Sequence, residues 1–174
     1  MNDYGRLVDA NTIQFRRHFD ADVETVWAFL IDPEKRKLWF CGGETDARVG
    51  GRIVFEFDHR RLSDTPPPEK YADQETARFE GEILACEPLR RLVFTWPEEE
   101  GEGTRVEIDL SKADGGGTDL VLTHRGLGSA EFRIGALAGW HAHFDLLDDI
   151  FAGIDPRDFW TRHMALEDHY GEVG

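Results

Sequence analysis

Cysteine is almost missing from this 174-residue chain: Cys41 and Cys86 are the only two, far apart. That excludes a disulfide framework and a zinc knuckle, and both thiols are expected to stay reduced, as in the cytoplasm. Basic residues are scarce as well. Twenty Lys and Arg stand against 35 Asp and Glu, a formal charge of −15. Such a field repels nucleic acid and anionic lipid, and no basic stripe offsets it. No apolar run approaches the length of a membrane span. The N-terminal MNDYGRLVDANTIQFRRHF has no apolar core of a signal peptide. Membrane insertion is therefore not expected, and a cytoplasmic location is. Catalytic signatures are lacking too. Ser63, Ser111 and Ser129 lie in no nucleophile elbow, and neither cysteine has a histidine partner in a known pattern. Arg48 to Arg52, RVGGR, is followed by no phosphate-binding glycine pattern, so Gly50 and Gly51 read as a turn into a strand. No cofactor is expected. What is present is an ordinary apolar share of 40%, enough for one folded domain with a real core.

The periodicities divide the chain. TIQFRRHF (12–19) reads as a strand. Asp20 or Asp22 can cap a helix from Val23, whose Val23, Val26, Trp27 and Leu30 form one stripe. Asp32–Pro33 stops it, and a second short helix is predicted from Pro33 to Trp39. The period then changes to two. Ile53, Phe55 and Phe57 share a face opposite Val54 and Glu56. Ala77, Phe79, Gly81 and Ile83 share another, as do Leu92, Phe94 and Trp96, then Val106, Ile108 and Leu110, then Leu120, Leu122 and His124. Repeated alternation means an antiparallel sheet with one face on a core. Short turn-rich links make the strands from Thr76 to His124 a meander, and EEEGE (98–102) a solvated hairpin tip. The link from His59 to Glu75 is long and holds three consecutive prolines; a surface loop and a lid both fit it. GWHAHFDLLDDIFAG lies in a long amphipathic helix from Ser129 or Ala130 to Ala152. Asp155–Pro156 signals a tail helix over about 156–170, docking by Phe159, Leu166 and Tyr170. Helices before and after a run of strands give an α+β class, with the bent sheet and the long helix burying each other's apolar faces.

Five stretches in this order resemble a known family: VWAFLIDPEKRKLWF, DARVGGRIVFEF, EPLRRLVFTW, GGGTDLVLTHRGL and GWHAHFDLLDDIFAG. They are similar to the bacterial relatives of the activator of the heat-shock protein 90 ATPase, in the START/Bet v 1-like superfamily. PEKY and the tail DPRDFWTRHMALEDHYGEV resemble a subgroup, so the likeness spans about Thr12 to Val173. The resemblance implies a helix-grip fold, with a core over about 12–153 and an added tail helix, around a pocket for an apolar or amphipathic small molecule. It implies no single activity, since hydrophobic-ligand carriers, cyclase-like proteins and chaperone co-factors share the pattern.

The residues weighed for a ligand site are those pointing inward from sheet and helix: Trp39, Phe55, Phe57, Phe79, Phe94, Trp96, His124, Trp140, His143 and Phe144. About half of the aromatic ones are expected to line a cavity and the rest to pack. His143 falls in the arc of Trp140, Leu147 and Ile150, as a buried hydrogen-bonded histidine or as a polar anchor of the ligand. His141 lies about 160° away beside Asp145 and Asp148, so the two histidines make no chelating pair. His124 points inward at its strand end. His163, Glu167 and His169 make a metal site on paper only, because just His163 and Glu167 share a helix face. The expected function is binding of an apolar or aromatic small molecule without catalysis. The alternatives are a cyclase- or hydrolase-like enzyme using His143 and His124, and a chaperone ATPase co-factor. A homodimer is left open.

Overall fold

The computed structural model describes residues 3–97 and 103–173; the predicted hairpin tip at 98–102 lies outside them. Seven strands form one antiparallel sheet. They are β1 (Arg6–Asp9), β2 (Thr12–Phe19), β3 (Arg52–Asp58), β4 (Thr76–Glu87), β5 (Arg91–Trp96), β6 (Thr104–Lys112) and β7 (Thr118–Arg125). Their order is β1-β2-β7-β6-β5-β4-β3, so β4 to β7 form the expected meander, β3 extends it at one edge, and β2 returns to pair with β7. The alternating residues set the register. Phe55 pairs with Phe79, Phe94 with Val106, and Ile108 with Leu122, which places one apolar row across the inner face. The strand β4 shifts register between Ile83 and Ala85, a bulge that bends the sheet. Gly81 sits just before it, where an added Cβ would lie 2.3 Å from the Thr95 carbonyl oxygen. The edge strand β1 was not foreseen: its four residues are all exposed and carry no alternation to read.

The helices follow their caps. Asp22 accepts from the Thr25 amide and opens α1 (Val23–Ile31), which buries Val23, Val26, Trp27 and Leu30. Asp32 closes it and caps α2 (Pro33–Arg36), shorter than predicted because the chain leaves the helix after Arg36. That departure lets the Arg36 guanidinium turn inward. It donates to the carbonyls of Cys41, Gly42, Gly43 and Val54 and to Thr45 Oγ1, pinning the following segment against β3. Val54, placed by alternation on the outer face of β3, is buried beneath that segment. Gly43 holds φ at +101°, and a Cβ there would lie 2.2 Å from the Val54 oxygen.

Ser129 caps α3 (Ala130–Phe151), the long helix expected from the amphipathic pattern. Its inner side brings Phe144 against Phe15, Phe19 and Trp39, at ring-centroid distances of 5.8, 6.1 and 6.0 Å. The tail helix α4 (Phe159–Val173) starts later than Asp155–Pro156 predicts. Asp158 is the side chain that accepts from the Thr161 amide at 2.9 Å, so the helix begins beyond it. Phe159, Leu166 and Tyr170 are buried as expected.

The other side of α3, with His141 and Asp145, is buried as well, because α4 packs on it. Arg17 of β2 meets Asp145 and Asp148 there, while Arg157 meets Asp149 and Asp145, and Arg162 meets Asp145. Burial alone would raise the Asp145 carboxyl, but the Arg17 and Arg162 hydrogen bonds and nearby His141 hold it below the usual range. A curved antiparallel sheet thus wraps one long helix, with a second helix docked behind: a helix-grip, Bet v 1/START-like fold.

Candidate functional site

The space between sheet and α3 is filled by rings. Phe40 stacks on Trp39, Trp96 and Trp140 at 5.2, 6.2 and 4.9 Å. Phe55 meets Phe79, Phe94 and Trp96 at 5.1–5.3 Å. These rings leave an apolar void of about 10 Å³, bounded by Leu30, Arg36, Trp39, Phe40, Phe55, Phe94 and Trp140 among others. That is about the volume available to one water, against roughly 300–1,000 Å³ for small-molecule sites. The open cavity expected from the sequence is therefore shut. Of the ten weighed residues, Trp39, Phe55, Phe94 and Trp140 bound the void; Phe57, Phe79, Trp96, His124, His143 and Phe144 do not.

Packing is uneven across the sheet. The inward residues of β2, β6 and β7 are fully buried, whereas Phe57, Phe79 and Trp96, toward the β3 edge, stay half-buried among other rings. The aromatic cluster thus runs without a break from the void to partly open surface. Alternation located these residues; Phe40, which touches most of them, lay in no strand and was missed.

The two inward histidines do not converge. The Trp140 Nε1–H donates to His124 Nδ1 at 3.2 Å. The proton of His124 is then on Nε2, which meets Thr104 Oγ1 at 3.0 Å, and that hydroxyl donates on to the Trp96 carbonyl. Both ring nitrogens are spoken for, and burial pushes the imidazole down to about 3. His143 donates from Nδ1 to the Trp39 carbonyl at 2.7 Å, which leaves Nε2 as its acceptor. Its neighbours are Phe159 at 4.4 Å, Phe40 at 4.9 Å, His59 at 5.6 Å and Phe57 at 6.2 Å. It is 4% exposed, and burial holds it neutral, far below the ordinary histidine range.

The link from His59 to Glu75 does not lie free on the surface. It makes 3₁₀ turns at His59–Arg61 and Glu69–Gln74 and binds the start of α4. Asp158 accepts from Ser63 Oγ and from the amides of Asp64 and Thr65. Glu167 accepts from Tyr71 and Lys70, which removes it from the paper metal site; His169 instead lies against Tyr4. Among the described residues no group of three or more His, Cys, Asp or Glu is arranged to hold a metal ion. An open groove of about 550 Å³ runs beside His18, Asp20 to Glu24 and the β6–β7 turn, and it shares no residue with the aromatic cluster. Burial pushes the Cys41 thiol up to about 12, which leaves it inert. No described helix is long and apolar enough to cross a membrane.

Comparison with known proteins agrees with this architecture. No curated protein matches the sequence. A solution structure of a Bordetella parapertussis protein is 35% identical, with a TM-score of 0.82 over 98% of this chain and 90% of that one. CalU16 from Micromonospora echinospora is 28% identical, with a TM-score of 0.68 over 98% of this chain and 91% of its own. The Aha1 dimer of Colwellia psychrerythraea, 16% identical with a TM-score of 0.61 over 80% of this chain and 95% of that one, shares the fold. The pattern of the activator of Hsp90 ATPase homolog 1-like proteins matches residues 20–152. With three quarters of its length inside that pattern, including β3 to β7 and α3, the chain belongs to the activator of Hsp90 ATPase homolog 1-like family.

Proposed function

We propose that the protein is a cytoplasmic carrier that takes an apolar or aromatic small molecule between the sheet and α3. The observation that carries this reading is the aromatic cluster itself. Phe57, Phe79 and Trp96 keep partly open faces although the rest of the inner face is closed, and they lead through Phe40 to the void beside Trp140. A ligand enters by turning these rings aside and replaces ring-on-ring contacts with its own. The binding is therefore an opening of a closed interior, and its affinity is reduced by the free energy of that opening.

His124 argues against the enzymatic alternative, since both its nitrogens serve protein groups, and His143, whose Nε2 is left as an acceptor, is buried among Phe40, Phe57, His59 and Phe159 with no carboxylate facing it. A general base needs a nitrogen within reach of the substrate proton. The chaperone co-factor reading rests on the family's name alone.

Native mass spectrometry of the protein purified from its own organism tests the carrier reading. The expected result is a second mass, heavier by a few hundred daltons and lost on denaturation. A spectrum of the bare chain alone, with no saturable binding of any neutral aromatic probe, contradicts it.

A further inference from the structure

Four of the seven histidines lie in one interface, between α4 and what it covers: His59 on the β3–β4 link, His141 and His143 on α3, and His163 on α4. All four are buried. The Phe159 ring sits among three of them, 4.5 Å from His59, 4.4 Å from His143 and 5.7 Å from His163. Trp160 extends this layer, 5.0 Å from His59 and 5.4 Å from His163, and Tyr71 closes over it at 5.7 Å. The layer adjoins the half-buried end of the aromatic cluster through Phe57, which stacks on His59 at 5.4 Å. Two of its polar atoms, Trp160 Nε1 and His163 Nδ1, are buried without a protein hydrogen-bond partner among the described residues.

We propose that α4 and the link from His59 to Glu75 form one lid over the aromatic cleft, and that proton uptake by the histidines beneath Phe159 releases it in mild acid.

Charge around the histidines decides the direction. His143 faces His59 and His163 and no carboxylate; its one polar contact is the Trp39 carbonyl. His59 faces Asp58 and Glu75, and it already donates from Nδ1 to the Gln74 carbonyl. His163 faces Glu167, but also Lys70, which with Tyr71 occupies that carboxylate. A proton on any of the three adds a charge beside the other two. His141 differs: Asp145 lies 3.5 Å away, offset by Arg17 and Arg162, with Asp3 beyond. The driving groups are thus His59, His143 and His163.

Burial lowers all three in the closed state, His163 to about 4. The closed lid is fully stable above the ordinary histidine value of about 6.5 and loses stability as pH falls from there toward the closed-state values. At pH 5 the return of His163 from about 4 to its ordinary value on opening multiplies the opening constant by about 30, and proton uptake by His59 and His143 acts in the same direction. The two unpartnered atoms also regain partners on opening, which keeps the neutral-pH barrier to release modest.

Hydrogen exchange read by mass spectrometry at pH 7.5 and 5.0, corrected for intrinsic rates, tests this. Protection over 59–75 and 159–173 is expected to fall at least 100-fold at pH 5.0 and to stay below that of β6 and β7 there. His124 and the lid histidines also weaken the whole fold in acid, so β6 and β7 lose protection too; the higher protection they keep at pH 5.0 is what marks the opening as local. His163→Phe should shrink the acid loss about 30-fold. Phe159→Ala should release both segments together already at pH 7.5, an arm that needs no titration. Protection in the two segments equal to that in β6 and β7 at pH 5.0, unchanged protection of the two segments at both pH values, or release of one segment without the other overturns the proposal. The lid itself does not depend on the carrier reading; only its effect on ligand entry does. Fluorescence of N-phenyl-1-naphthylamine in the same two buffers reads that entry separately, so failure of one is told from failure of the other.

Discussion

Arg36 and Arg17 meet burial in opposite ways. Arg36 spends its donors on backbone carbonyls and has no carboxylate within ion-pair distance among the described residues, so it works as a structural pin. Arg17 is neutralised by Asp145 and Asp148. Neither burial was evident in the sequence: Arg36 lies in a four-residue helix, and Arg17, although in phase with Ile13, Phe15 and Phe19, belongs to a residue type that is mostly exposed. His141 was hidden for a related reason: it sits among aspartates, and only the docking of α4 makes that side an interior. Phe144, by contrast, was legible from helical spacing. It is fully buried among Phe15, Phe19, Trp39 and Trp140, with the Arg17 guanidinium 5.8 Å from its ring. Phe144→Ala should cost about 3–5 kcal/mol of unfolding free energy. Urea denaturation measures it, and a loss under about 1 kcal/mol would mean that this side of α3 is not core.

Elements were legible where a period persisted. The limits of β2 and α3 follow their residues closely, because eight alternating and twenty-two helical positions average out local exceptions. The tail helix was placed three residues early, because Asp155–Pro156 is a sound local signal that Asp158 outcompetes. Asp158 wins through partners the sequence keeps far away: Ser63, Asp64 and Thr65 all donate to it. Burial would raise this carboxyl, but the Thr161 and Ser63 hydrogen bonds hold it well below the usual range. Its contribution is therefore present above about pH 4 and is lost as pH falls through the lowered value. Asp158→Ala removes a helix cap and a loop anchor together. The expected cost is about 1–2 kcal/mol, read as faster hydrogen exchange at neutral pH in both 59–75 and 159–173. A change confined to the first turn of α4 would show that Asp158 is a cap only.

At the scale of the whole molecule, period-two alternation revealed which rings face inward but not how closely they meet. Closure depends on Phe40, which lies in no periodic segment, and on Phe159 and His59, which arrive from distant parts of the chain. The sequence therefore led to an open cavity where the fold has a void of about 10 Å³. The central claim is that this closed interior opens to admit a neutral aromatic ligand. Titration of ¹⁵N-labelled protein with N-phenyl-1-naphthylamine, followed by two-dimensional NMR, tests it most directly. The account predicts saturable shifts of the Trp39, Trp96 and Trp140 indole N–H signals and of the Phe40, Phe57 and Phe79 amides. Shifts confined to exposed apolar residues such as Leu7, Val8, Leu38 and Phe132, with the indoles unmoved, would contradict it.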